Sequence, residues 1–139
     1  MGKLQNVYLQ AKSPNATIDG LFLNTVSHNS TTYDLLLSQN RTQDWVYDDG
    51  IGRVFIYHLT PLVTRFYLCS NVDSFYLSSI NTPVAILVDN NRTLNFANSN
   101  TLHAIPAVNG GKRTPGTYHV SRDRTTSGAM GFSITLIGV

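Results

Sequence analysis

Apolar residues along the chain recur in short runs or every second position, and polar breaks fall every ten to fourteen residues. Period-two alternation places alternate side chains on opposite faces of a strand, so each run reads as a strand. Residues 132–136 (FSITL) alternate most cleanly, with Phe132, Ile134 and Leu136 on one face and Ser133 and Thr135 on the other. Residues 7–11, 21–23 and 33–37 read the same way, the last with Tyr33, Leu35 and Leu37 inward. Residues 54–59 (VFIYHL) are apolar on both faces and predict a central strand. His58 within them reads as a half-buried strand residue. Residues 65–79 (RFYLCSNVDSFYLSS) double a Phe-Tyr-Leu triplet around Asn71-Val72-Asp73, which marks a β-hairpin. Residues 84–88 (VAILV), 94–97, 102–105 and 118–120 supply further short strands. Residues 39–52 and 109–116 read as turn and loop.

About ten short strands with no substantial helix predict an all-β fold in one domain, either a β-sandwich or a β-trefoil or barrel. An aromatic-Leu-polar triplet recurs at Tyr8, Phe22, Tyr67 and Tyr76. The recurrence suggests a threefold repeat, but its uneven spacing does not show one, and sandwich and trefoil stay level.

Composition sharpens the class. Of 139 residues, 15 are Thr, 13 Asn and 12 Ser, all eight acidic residues are Asp, and charged residues make up only 13%. That is about half the usual charged share, and the bias favours turns and strands over helices. A surface made polar without charge suits an extracellular or cell-wall location, which supposes a leader removed ahead of Met1-Gly2. A net charge of +2 is too small to imply nucleic acid as a partner. No stretch reaches the apolar length of a membrane span. The single cysteine, Cys69, precludes an internal disulfide and aligns with Ser78 as a small residue at a strand exit.

Four sequons, at Asn15, Asn29, Asn40 and Asn91, fall in expected loops and are candidate glycosylation sites. Asp44, Trp45, Tyr47, Asp48 and Asp49 put two aromatic rings among three carboxylates. An aromatic face can stack on a sugar ring while carboxylates accept from its hydroxyls, so this segment is the candidate glycan site. The competing reading makes Trp45 and Tyr47 core residues and Asp48-Asp49-Gly50 a turn. His28, His58, His103 and His119 show no ligand spacing, so neither metal nor cofactor is expected. Lys112, Arg113, Arg122 and Arg124 read as solvated loop charges.

Two segments, 84–106 (VAILVDNNRTLNFANSNTLHAIP) and 128–133 (GAMGFS), resemble the phialide-associated (PhiA-type) secreted cell-wall proteins of filamentous fungi, as does the opening strand through Pro14. Ala129 departs from that pattern, standing where the family tends to have cysteine. The resemblance implies a secreted, glycosylated, wall-associated β-protein without catalysis, and it carries no site residues.

The expected function is therefore a non-enzymatic surface domain acting in adhesion, wall structure or binding of glycan or cell-wall polysaccharide. A structural module of an assembly, such as a viral coat or fibre domain that forms a homo-oligomer, is the alternative. A small hydrolase using Asp side chains near Trp45 comes third.

Overall fold

The computed structural model describes residues 3–58, 63–71, 74–96, 101–109, 112–121 and 128–138. Twelve strands run in chain order: β1 (Leu4–Lys12), β2 (Phe22–Ser27), β3 (Thr32–Ser38), β4 (Trp45–Asp48), β5 (Arg53–His58) and β6 (Thr64–Ser70). They continue with β7 (Phe75–Ser78), β8 (Ile86–Val88), β9 (Leu94–Phe96), β10 (Leu102–Asn109), β11 (Lys112–Ser121) and β12 (Met130–Gly138). No helix occurs among the described residues. The chain is all-β.

Six strands close a barrel. β1 pairs antiparallel with β12 from Val7↔Gly138 to Lys12↔Ser133. The first part of β1 pairs with β4, from Leu4↔Asp48 to Val7↔Trp45. β4 pairs with β5, and the Ile86 amide of β8 donates to the Gly52 carbonyl just ahead of β5. β8 pairs with β9, and a Thr93↔Thr135 bridge returns the circuit to β12. Closure removes the open edges that a flat sheet would leave.

Three hairpins cap this barrel: β2–β3, β6–β7 and β10–β11. They join in a triangle through β3–β7, a Ser74↔Ser121 bridge and β11–β3. A six-stranded barrel under three linked hairpins is the β-trefoil arrangement, which decides between the two expected architectures. The threefold relation is legible in register, not in spacing. Each hairpin buries one cross-strand apolar pair: Leu23 with Leu37, Leu68 with Leu77, and Ala104 with Val120. Loops of unequal length separate these pairs along the chain, so a fixed sequence period cannot appear.

The core follows from alternation. Val7, Leu9 and Ala11 of β1 meet Phe132, Ile134 and Leu136 of β12 inside the barrel. Of residues 54–59, those described, 54–58, do not run through the centre. Val54 and Ile56 enter the core, whereas Tyr57 and His58 are exposed. Phe55 is buried on the other face, where the Arg65 guanidinium lies 4.5 Å over its ring and Tyr57 meets it edge-on. A cation over an aromatic face covers apolar surface while remaining wet itself.

Three expectations change in detail. Residues 45–48, read as turn, form β4 because Trp45, Val46 and Tyr47 are all buried. Residues 109–116 are mostly strand, since β10 extends to Asn109 and β11 begins at Lys112. Within 84–88 only Ile86–Val88 is strand, and Leu87 faces solvent at 75% exposure.

Candidate functional site

The Asp44–Asp49 segment is brought together by β4 and the turn after it, but not as a binding face. Trp45 is 0% exposed and Tyr47 8%, so neither ring offers a face to a sugar. Trp45 pairs with Val7 across β1–β4, and its indole Nε1 donates to the Leu23 carbonyl at 3.0 Å. A buried indole N–H needs such a partner, and a barrel interior supplies the volume for the ring. The carboxylates serve the turn. Asp48 Oδ1 accepts from the Gly50 amide at 3.0 Å, and Asp49 Oδ1 accepts from the Lys3 amide at 2.6 Å. Asp44 is exposed. Burial, then the nearby charge of Asp49, raises the Tyr47 pKa above the ordinary tyrosine value, partly offset by Arg92. The aromatic platform expected here is thus a core contact, because Trp45 and Tyr47, two positions apart in β4, both pack into the core.

The four sequon asparagines are all exposed. Asn15 Oδ1 accepts from the Thr17 amide at 2.9 Å, and Asn29 Oδ1 from the Thr31 amide at 2.9 Å and its hydroxyl at 3.1 Å. In both, the side chain closes a turn that its own sequon threonine completes. Asn40 and Asn91 differ. The Asn40 carbonyl is held by Asn24 Nδ2, and Asn91 sits in a turn that Asp89 organises, beside Arg92 at φ 64°.

Asn24 entered the sequence reading only as the polar residue of the Phe22 triplet, with no role attached. It is buried, and its amide donates to Ser38 Oγ and the Asn40 carbonyl while its Oδ1 accepts from the Thr42 and Gln43 amides. One fully satisfied amide thereby ties the loop leading into β4 to the β2–β3 hairpin.

Two recesses are lined by described residues. A groove of about 330 Å³ is lined by Ser27, Asn29, Ser30, Tyr33, His58, Thr64 and Phe66. Tyr33 Oη lies 2.7 Å from His58 Nδ1, and the Tyr33 ring meets Phe66 edge-on at 4.9 Å and 82°. The hydrogen bond fixes an otherwise exposed His58 as one wall. The β2–β3 hairpin contributes one side of this groove, and the β5 end and β6 start contribute the other. Tyr33 and His58 are 25 residues apart, and only folding makes them neighbours. Their sequence signal was an aromatic and a histidine at strand ends, which is no motif. A second, more polar cleft lies between residues 12–19 and 89–93.

Other reactive groups are placed otherwise. Cys69 is buried, and burial pushes its thiol pKa up, with the Ser78 backbone bond and Arg53 opposing. A thiol held protonated is a poor nucleophile. His28 pairs with Asp34 at 3.3 Å on the surface. Among the described residues no three His, Cys, Asp or Glu side chains converge as a metal site. No described helix is long and apolar enough to cross a membrane. Arg122 and Arg124 lie outside the described residues, while Lys112 and Arg113 begin β11.

No protein-family model, curated protein or solved structure matches the chain.

Proposed function

We propose that this protein is a non-enzymatic extracellular β-trefoil domain that binds glycan at the groove between Tyr33 and His58. The observation that carries the reading is the composition of that groove. The rings of Tyr33 and His58, backed by buried Phe66, stand against hydroxyls of Ser27, Ser30 and Thr64 and the Asn29 amide. A pyranose has an apolar face and a rim of hydroxyls, and it needs that pairing of ring and polar groups. The Asn- and Thr-rich surface supports an extracellular setting, as does the resemblance to PhiA-type wall proteins. The former candidate residues Trp45 and Tyr47 act in this reading as core, not ligand contacts.

A glycan array and a wall-polysaccharide pulldown test it. Tyr33→Ala should weaken binding of any recognised glycan about tenfold, the scale of one aromatic contact. His58→Ala, at an exposed position, should weaken it without lowering Tm. Absence of binding to every glycan and wall preparation would refute the reading.

A second reading is a structural module in an assembly, in which exposed Leu87, Ile80 and Val63 would be buried between subunits. Light scattering after size exclusion discriminates: a monomer at high concentration counts against it.

A further inference from the structure

The polar cleft outside the Tyr33–His58 groove has its own construction. It measures about 570 Å³ and is lined by Lys12, Ser13, Pro14, Asp19, Asp89, Asn91, Thr93 and Ser133. This volume falls within the range of small-molecule sites. Its floor is the β1–β12 ladder at Lys12↔Ser133. One wall is the loop after β1, and the other is the turn between β8 and β9.

Both walls are held before any ligand arrives. Ser13 Oγ donates to the Gly131 carbonyl at 2.7 Å and accepts from the Asn15 amide at 3.1 Å. Asp19 Oδ1 accepts from the Ser13 amide at 2.9 Å, which leaves the other carboxylate oxygen. Asp89 Oδ1 accepts from the Asn91 amide at 2.9 Å and the Thr93 amide at 3.0 Å. The Arg92 carbonyl in turn accepts from the Leu136 amide at 2.8 Å, which pins the turn to β12. Preorganised acceptors bind a donor without the ordering cost of mobile loops.

The charges decide the ligand class. Two carboxylates disfavour an anion, and the Lys12 ammonium in the same cleft disfavours a metal cation. What fits both signs is a neutral molecule rich in groups that donate and accept. A sugar offers hydroxyl donors to Asp19 and Asp89, acceptor oxygens to Lys12 and Asn91, and an apolar edge to Pro14.

We infer that this cleft is a second saccharide site, selective for neutral sugars and separate from the Tyr33–His58 groove. The two recesses share no residue, so each can fail alone. With both sites present, one domain can hold two glycan chains together, which is how a monomer could link a wall or a cell surface.

The test is an NMR titration of the full chain with the methyl glycosides of glucose, galactose, mannose and N-acetylglucosamine. Protein from a bacterial host is used, because an N-glycan on Asn91 would cover the cleft. At least one glycoside should shift the amide signals of Lys12, Thr93 and Ser133 saturably. Ser133→Trp, which fills the floor from an outward-facing position, should abolish those shifts and leave shifts at Ser30 and Tyr33 unchanged. Lys12→Ala, at an exposed position, should weaken the same titration about tenfold, the scale of one charge-assisted hydrogen bond. Shifts at these residues with calcium chloride and with no glycoside would overturn the inference. So would their absence with all four glycosides at millimolar concentration, whatever happens at Tyr33.

Discussion

At the scale of single residues, partners decide roles that residue type leaves open. Trp45 has the chemistry of a sugar platform, yet it is enclosed in the barrel with its indole N–H on the Leu23 carbonyl. Trp45→Phe should therefore cost about 2–3 kcal/mol in denaturant unfolding, from the lost hydrogen bond and the void left behind. The same variant should leave glycan affinity unchanged, which separates core from site. Asp89 carries a different signal. The Thr93 amide bond, opposed next by desolvation and assisted by the Asn95 and Asn91 bonds, holds its carboxyl below the ordinary value. A depressed folded-state pKa stabilises the fold above the unfolded pKa, and that stability is lost as pH falls through the folded pKa. Asp89→Asn should lower Tm at neutral pH, and the gap from the parent should close as pH drops through the carboxylate range. Asp89 lies between the expected strands 84–88 and 94–97, next to the Asn91 sequon in an expected loop, and Asp is a turn residue by type. The sequence could not mark the role of Asn24, whose four partners lie between 14 and 19 residues away.

At the scale of elements, strand identity was legible wherever one face is buried and the other wet. β12 and β1 follow the period-two pattern closely, because their inward residues all reach one core. The doubled Phe-Tyr-Leu triplet is indeed a hairpin, with Leu68 opposite Leu77. The pattern fails at β4 and β11. In β4 three successive residues are buried, so no alternation announces a strand. In β11, Pro115 and Gly116 suggest a loop, yet the strand continues and Gly116 takes φ 75°. The junction of β5 and β8 depends on another glycine. Gly52 has φ 67°, and a Cβ there would stand 2.6 Å from the Ile86 carbonyl oxygen. Gly52→Ala should destabilise by about 2 kcal/mol or more, since both the left-handed backbone and the close approach are disrupted. Thermal unfolding checks this, with Gly138→Ala, which meets nothing within 4 Å, as the near-neutral comparison.

At the scale of the molecule, closure makes stability collective. β1 carries partners from distant parts of the chain, β12 on one edge and β4 on the other. A chain ending after residue 129 would lose β12 and reopen the barrel between β1 and β9. It should show no cooperative unfolding transition by circular dichroism, whereas truncation of a dispensable edge strand would only lower Tm. The same closure explains where function can sit. Trp45, Leu9, Leu136 and their neighbours pack the barrel, and the two recesses described above lie between loops and hairpins on the outside. Sequence alone determined the all-β class, the terminal strands and the central hairpin, because period-two burial and turn chemistry act between residues near in the chain. Tertiary structure alone decided the trefoil closure, the burial of Trp45 and Tyr47, and the meeting of Tyr33 with His58. Those outcomes rest on pairings between distant strands, and a pattern confined to a few residues does not encode which distant edge a strand will meet.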